Sequence, residues 1–360
     1  MKIKKVMKLI IIIVIFVGSV LFGLQIYGTY QIKKIPELSF QEALQYTTKD
    51  NKDAVITVGI IKDGQVAYTI YGENGKELPL ELHTYEIGSL TKTFTASMIS
   101  KAMQDEKIDI NDTIDIYLVL SEGKIYPTIE GLLTHTSGYK SHYFEHVMIS
   151  NFLKGRNDFY GISKNRILDK ISAINEEKEY PFHYSNYGYA VLGLILEEIY
   201  QKDYKSLINE YIQNELQLKN TKISDKDGDL GNYWDWKDND AYLSAGGITS
   251  DIADMLSYAQ MQLDKDIYME QCHKSIKEIN TSTKSYKMMD INMDEIGMAW
   301  IIDKENKIVW HNGGTDNYNS YLGFNCETGT AVVILSNLST NYRIPATVLG
   351  VKLLKELINY

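Results

Sequence analysis

The sequence predicts an α+β fold: an antiparallel sheet flanked by helices, a helical lobe beside it, and an N-terminal transmembrane helix in front. Three observations predict this. Strand-like segments lie near both ends of the folded region and helical ones between them. Short turns join the late strands, which favours antiparallel pairing. An uncharged apolar run opens the chain.

Residues 1–8 carry Lys2, Lys4, Lys5 and Lys8 and read as a cytoplasmic basic tail. The apolar run at 9–29 follows; ~20 such residues cross the hydrocarbon core as a helix. Lysines in front of it predict an N-inside orientation. A cleaved signal peptide is the alternative, but Gly23-Leu24-Gln25 and Gly28-Thr29-Tyr30 are poor cleavage sites. No cysteine lies near the run to carry a lipid. Either reading places the remainder outside the cytoplasm, and an anchor makes the protein a single-pass resident of the cell membrane. Residues 30–45 read as a stalk and 46–360 as the folded domain.

Ala54–Ile61 and Val66–Tyr71 read as strands around Asp63-Gly64, a strong hairpin signal. From Ser89 to Asp105 the pattern is helical, with Phe94, Met98, Ile99 and Met103 on one side. A short helix covers Ile129–Leu133. Residues 139–180 are irregular and rich in Lys, Asn and Tyr. Tyr189–Tyr200 is apolar nearly all round, the mark of a buried helix. An amphipathic helix follows through Leu207, Ile208, Tyr211 and Ile212. Ala245-Gly246-Gly247 reads as a turn, after which Thr249 or Ser250 caps a helix carrying Ile252, Met255, Leu256 and Ala259. Met298–Ile302, Lys307–Trp310, Ser320–Phe324 and Thr330–Leu335 read as strands, and Ile344–Ile358 as a last helix.

With 360 residues, 44% hydrophobic and 23% charged, the chain is long enough for a large core. The formal charge is −10, and −16 without the six lysines of residues 1–34. Such acidity argues against nucleic acid and against anionic lipid as partners. Two cysteines, Cys272 and Cys326, leave a disulfide open without defining a framework. They lack the spacing of a metal site.

Three polar motifs carry the chemistry. Ser89-Leu90-Thr91-Lys92 opens an apolar-striped helix, and residues three apart share a helix face. The helix N-terminus favours a developing alkoxide on Ser89. A desolvated Lys92 has a lowered pKa and can act as a base. Two further Ser-x-x-Lys copies, at Ser121 and Ser137, lie in glycine-containing polar loops that would not fix the pair. Tyr184-Ser185-Asn186 precedes the buried helix; Tyr184 can shuttle a proton, and Asn186 can bind a substrate carbonyl and orient Lys92. His311-Asn312-Gly313-Gly314 follows a strand. There Gly313 lets a substrate backbone approach and a following N–H faces an oxyanion; a plain hairpin turn is the alternative.

In this order, the three motifs resemble the serine hydrolases of the penicillin-binding protein and class C β-lactamase family. The resemblance spans about residues 50–358. It includes Tyr85-Glu86-Ile87-Gly88, Leu132-Leu133-Thr134-His135-Thr136-Ser137-Gly138, Ala245-Gly246-Gly247 and Glu327-Thr328-Gly329. It implies Ser89 as the acylated nucleophile, Lys92 as its base and Tyr184 as the proton shuttle that also activates water. Asn186 would hold the substrate amide, and the N–H groups of Ser89 and Gly314 would form the oxyanion hole. The resemblance implies neither metal nor cofactor.

One departure matters. Many penicillin-recognising members carry Lys-Thr-Gly as the third motif, and His311 takes the lysine position here. An unperturbed histidine, with pKa ~6.5, is mostly neutral at pH 7. A carboxylate-bearing substrate is thereby less well served. The expected substrates are D-alanyl or other D-amino-acyl amides or esters of the cell envelope. The alternatives are β-lactam hydrolysis and a non-hydrolytic sensor of penicillins or wall fragments. A Ser-His-Asp triad through His83 or His135 is disfavoured, and the resemblance makes His135 structural.

Overall fold

The computed structural model describes residues 34–174, 180–265 and 267–359. The basic tail and the expected span at 9–29 lie outside the described residues. No helix among the described residues is long and apolar enough to cross a membrane.

Helix α1 (Phe40–Thr48) opens with a capping box: the Glu42 N–H donates to Ser39 Oγ, and the Ser39 N–H donates to the Glu42 carboxylate. Ile35, Phe40, Ala43 and Leu44 are buried. Residues 35–45 therefore belong to the folded domain, which corrects the expected stalk. Strands β1 (Ile56–Lys62) and β2 (Gln65–Tyr71) form the expected hairpin. Asp63 and Gly64 both have positive φ, 52° and 71°, as a type I′ turn requires. Strands β3 (Glu77–Leu78) and β4 (Tyr85–Glu86) follow.

The helical lobe comprises α2 (Thr91–Gln104), α3 (Ile129–Leu133), α4 (His146–Leu153), α5 (Lys164–Leu168), α6 (Asn186–Tyr200) and α7 (Tyr204–Glu210), then β5 (Lys222–Ile223), α8 (Leu243–Gly246), β6 (Ile248–Ser250), α9 (Ile252–Leu263) and α10 (Ile267–His273). The chain closes with β7 (Lys277–Glu278), α11 (Lys284–Met288), β8 (Glu295–Ile296), β9 (Ile301–Asp303), β10 (Ile308–Gly314), β11 (Asn319–Asn325), β12 (Thr330–Ser336) and α12 (Ala346–Ile358).

Nine strands form one sheet in the order β3-β2-β1-β12-β11-β10-β9-β8-β7, antiparallel throughout. The hairpin and the C-terminal strands thus share a sheet, joined by β1 against β12. Both faces are covered. Val332 and Ile334 of β12 pack with α1 and α12, while Ala331, Val333 and Leu335 pack with the helical lobe. Alternate side chains of a strand point to opposite faces, so a strand buried on both sides reads as one continuous apolar run. A second sheet, β4-β6-β5, fixes Tyr85 and Glu86, which precede Ser89 in the chain.

Four local expectations change. Helix α2 is buried on all sides from Thr91 to Ser100, not on one stripe. Its hydroxyls find fixed acceptors: Thr93 donates to Leu90 O, Thr95 to Ser244 O, Ser97 to Phe94 O and Ser100 to Tyr268 O. The cap of α9 is Asp251, which accepts from the Asp254 N–H, because Thr249 and Ser250 are held in β6. Met298–Trp300 is not strand; Ala299 has φ of 70° and donates its N–H to Leu133 O. His311–Gly314 is not a turn but the end of β10. Cys272 and Cys326 are both free.

Candidate active site

Ser89 lies in the 3₁₀ turn Gly88–Leu90, which runs directly into α2. Two backbones meet there. A Cβ on Gly313 would lie 1.9 Å from the Ile87 carbonyl oxygen, and one on Gly88 would lie 2.5 Å from the Gly314 nitrogen. Glycine at both positions lets the end of β10 lie against the nucleophile turn.

The register decides which way Gly314 faces. The Thr315 N–H donates to Tyr318 O, and Gly314 is paired with Asn319. Hydrogen-bonded and non-hydrogen-bonded pairs alternate along an antiparallel ladder. The N–H and C=O of Gly314 therefore point away from β11, into the cleft. The Ser89 N–H belongs to the first turn of a helix end, where N–H groups lack intrahelical partners. The two can converge on one oxygen, and the Gly314 carbonyl can accept from a substrate amide.

Lys92 is fully buried beneath Ser89. Its Nζ lies 3.1 Å from Ser89 Oγ, 2.8 Å from Asn186 Oδ1 and 2.6 Å from Ala245 O. Burial holds its pKa well below the ordinary lysine range. A neutral amine has two N–H donors and one lone pair. Asn186 and Ala245 offer only acceptors and take both donors, so the lone pair is left for the Ser89 hydroxyl. Ala245 is a site residue that sequence reading took for a turn; its function resides in a backbone carbonyl, and no side chain announces it.

Asn186 is the first residue of α6, whose cap is the Ser185 hydroxyl accepting from the Gly188 N–H. With Oδ1 held by Lys92, its Nδ2 is the group left for a substrate. Tyr184 is hydrogen-bonded to Ser89, and burial raises its pKa, so it is a neutral phenol.

His311 is buried, and its Nδ1 donates to the Asn312 carbonyl at 2.6 Å. Burial pushes its pKa down to about 3. The position that elsewhere carries a lysine is therefore uncharged. Asn312 points to the opposite face and donates to Thr347 of α12.

Ser89, Tyr184, His311, Gly313 and Gly314 line one cavity of about 530 Å³. Phe182, Trp234, Tyr286 and Trp310 make its walls largely aromatic. Asp316 is the only formally charged side chain among the described residues lining it. Asn186 lines a small adjoining recess with Ser89, Ala245 and Gly314. The structure so gathers Ser89, Lys92, Tyr184, Asn186, His311, Gly313 and Gly314 around one point. It adds Ala245, Trp234 and His135, the last also lining the cavity. His83 stands apart, bonded to Asp229 at 2.5 Å.

Comparison with known proteins agrees with this geometry. The chain is 24% identical over 317 residues to Protein flp of Staphylococcus aureus, covering 79% of this chain and 59% of that protein. It therefore spans about three-fifths of the length of that relative. The fold is similar to a beta-lactamase/D-alanine carboxypeptidase from Yersinia pestis, with a TM-score of 0.68, 18% identity, and coverage of 92% and 99%. It is also similar to a D-stereospecific amidohydrolase from Streptomyces sp., with a TM-score of 0.62, 19% identity, and coverage of 86% and 97%. The beta-lactamase family model matches residues 44–350, and the chain belongs to that family of serine hydrolases.

Proposed function

We propose that this protein is an extracytoplasmic hydrolase, tethered by its N-terminal apolar run, that forms an acyl-enzyme on Ser89. Its substrates are D-alanyl or other D-amino-acyl esters or amides of the cell envelope. One observation carries the catalytic part: the buried Lys92 Nζ lies 3.1 Å from Ser89 Oγ with Asn186 Oδ1 and Ala245 O as its other partners, and burial lowers its pKa, so that a neutral amine there turns its lone pair to Ser89.

In acylation the Ser89 proton passes to Lys92 as Oγ bonds to the substrate carbonyl carbon. The Ser89 and Gly314 N–H groups hold the oxyanion, a contribution worth about 3–4 kcal/mol per donor in comparable sites. Collapse expels the leaving group, which takes a proton relayed from Lys92 through the Tyr184 hydroxyl. Water then attacks the acyl-serine by the same relay in reverse.

The substrate class rests on charge. A penicillin or a C-terminal D-alanine presents a carboxylate, and the lining offers it a neutral His311 and an anionic Asp316. An ester or amide without that carboxylate suits the cleft better. The similarity to a D-stereospecific amidohydrolase supports D-configured substrates. β-Lactam hydrolysis is the second reading, favoured by the family match. A non-hydrolytic sensor would have no need of the intact proton relay.

The test treats the full chain in detergent, and its Ser89→Ala variant, with a fluorescent phosphonate and separately with a fluorescent penicillin. Phosphonate labelling that depends on Ser89, with weak or no penicillin labelling, is expected. Strong penicillin labelling would move the assignment to the β-lactam branch. A folded wild type labelled by neither probe would overturn the hydrolase reading.

A further inference from the structure

Two unequal spaces meet at Ser89. The cavity of about 530 Å³ and the adjoining recess of about 50 Å³ share Ser89, Gly314 and Trp234 as lining residues. The nucleophile and the oxyanion donors thus stand at the boundary, and a carbonyl held there turns one substituent to each side. Tyr184 relays the proton to the departing atom, and it lines the cavity but not the recess. The leaving group therefore occupies the cavity. Asn186 and Ala245 line the recess but not the cavity, so the recess receives the acyl chain.

At about 10–15 Å³ for each water-sized group, the recess of about 50 Å³ takes roughly three to five heavy atoms. An alanyl group fills it with its Cα, its methyl and its amino nitrogen; a peptidyl chain does not fit. The walls are fixed by their neighbours. Phe159 stacks on Tyr242 at 4.3 Å and meets the Trp234 ring edge-on at 6.5 Å. The Trp234 backbone N–H donates to Glu86 and its Nε1 to Asp316. Next to it, Asp235 O accepts from the buried Asn157 side chain at 3.0 Å. Trp236 lines both the recess and a neighbouring pocket of about 270 Å³, and so separates them.

We propose that the site removes a small acyl group, alanyl or smaller, from a bulky alcohol or amine. The inference rests on the acyl-serine reading above and narrows its substrate. Ser89 Oγ bonds to the carbonyl carbon of the small acyl group as the bond to the bulky leaving atom breaks. The electron pair of that bond and the proton relayed through Tyr184 go to the leaving atom, and water later releases the small acid from Ser89. Trimming a C-terminal D-alanine from a peptide needs the reverse arrangement, a large acyl group and a small leaving group.

The test measures kcat/KM of the detergent-solubilised full chain on esters of one alcohol with acetyl, D-alanyl, octanoyl and N-benzoyl-D-alanyl groups. A second series keeps D-alanyl and enlarges the alcohol from methanol to a sugar alcohol. The acetyl and D-alanyl esters are expected to exceed the two larger ones tenfold or more, while the larger alcohol lowers the rate less than threefold. Trp236→Ala joins the recess to the neighbouring pocket and should raise the octanoyl-to-acetyl ratio tenfold or more. Phe159→Leu, a milder change, should move the same ratio in the same direction. A wild type that takes the large acyl groups as well as the small ones, or a ratio unmoved by both variants, would overturn the assignment. Phosphonate labelling of Ser89, measured in parallel on each variant, separates this failure from failure of the acyl-serine mechanism itself.

Discussion

The two layers on either side of the large sheet are built by different rules. The outer layer, against α1 and α12, is filled by Ile56, Val58, Val332, Ile334, Leu349 and Leu354. The inner layer encloses α2, on which Lys92, Thr93, Thr95, Ser97 and Ser100 are buried among apolar neighbours. Outside, stability follows volume and area, so side chains of similar size are interchangeable. Inside, each polar group depends on particular partners at fixed places, and removing either partner exposes the desolvation cost of the other. The difference locates function: Lys92, the cation among these buried groups, converges with Asn186 and Ala245 beneath Ser89.

The largest expected effect tests that convergence. Lys92→Met keeps the side-chain volume and removes the base. Acylation by an ester substrate should fall roughly 10²–10⁴-fold, read by stopped-flow burst kinetics. Stability should move by about 1 kcal/mol or less, because losing the bonds to Asn186 and Ala245 opposes losing a desolvated amine. A large fall in stability with acylation intact would reverse the roles given to the two layers. The outer layer should answer in the opposite way. Ile334→Ala should cost about 2–5 kcal/mol in a denaturant titration while kcat of the folded enzyme is unchanged.

The same contrast governs pH. His311 takes up its proton near pH 3 in the native state, against ~6.5 when unfolded. Between these values the unfolded chain binds more protons, so stability falls as pH drops from 6.5 towards 3. The slope is about 1.4 kcal/mol per pH unit for one such group, and His135, also shifted down, adds to it. His311→Asn should reduce the slope by about one proton, measured from urea midpoints at pH 7 and 4.5. An unchanged slope would place the acid sensitivity outside the inner layer.

What the sequence made legible follows the same division. The β1–β2 hairpin, the late strands and α12 were readable because alternation, Asp-Gly turns and continuous apolar runs are outer-layer and sheet signals. Ser89, Lys92, Tyr184 and Asn186 were readable because side chains do their work. Ala245 was not, since a carbonyl has no residue signature, and Gly314 acts through backbone groups whose direction depends on register. Helix α2 looked amphipathic because its threonines and serines count as polar until their acceptors in other segments, such as Ser244 and Tyr268, are known. The Ser39–Glu42 box that opens α1 was present in the sequence, yet a presumed stalk hid it.

The smallest effect concerns the seam where both walls of the cleft meet. Glu86, three residues before the nucleophile, accepts at 2.6 Å from the Trp234 N–H and at 2.6 Å from the Thr315 hydroxyl. It thus ties the loop bearing Trp234 to the β10–β11 turn, and Trp234 Nε1 returns the link by donating to Asp316 at 3.1 Å. Burial pushes its pKa up to about 7. The native state therefore holds this proton more tightly than the unfolded chain, and stability falls as pH rises from about 4.5 through 7. A protonated carboxyl and a carboxamide have similar shape, each with one accepting oxygen. Glu86→Gln should match wild type at pH 5 and be roughly 1–2 kcal/mol more stable at pH 8, measured by urea unfolding. A variant less stable at pH 8 than wild type would mean that the ionised carboxylate holds the two walls together. The polar commitment of the inner layer would then extend to the rim of the cleft.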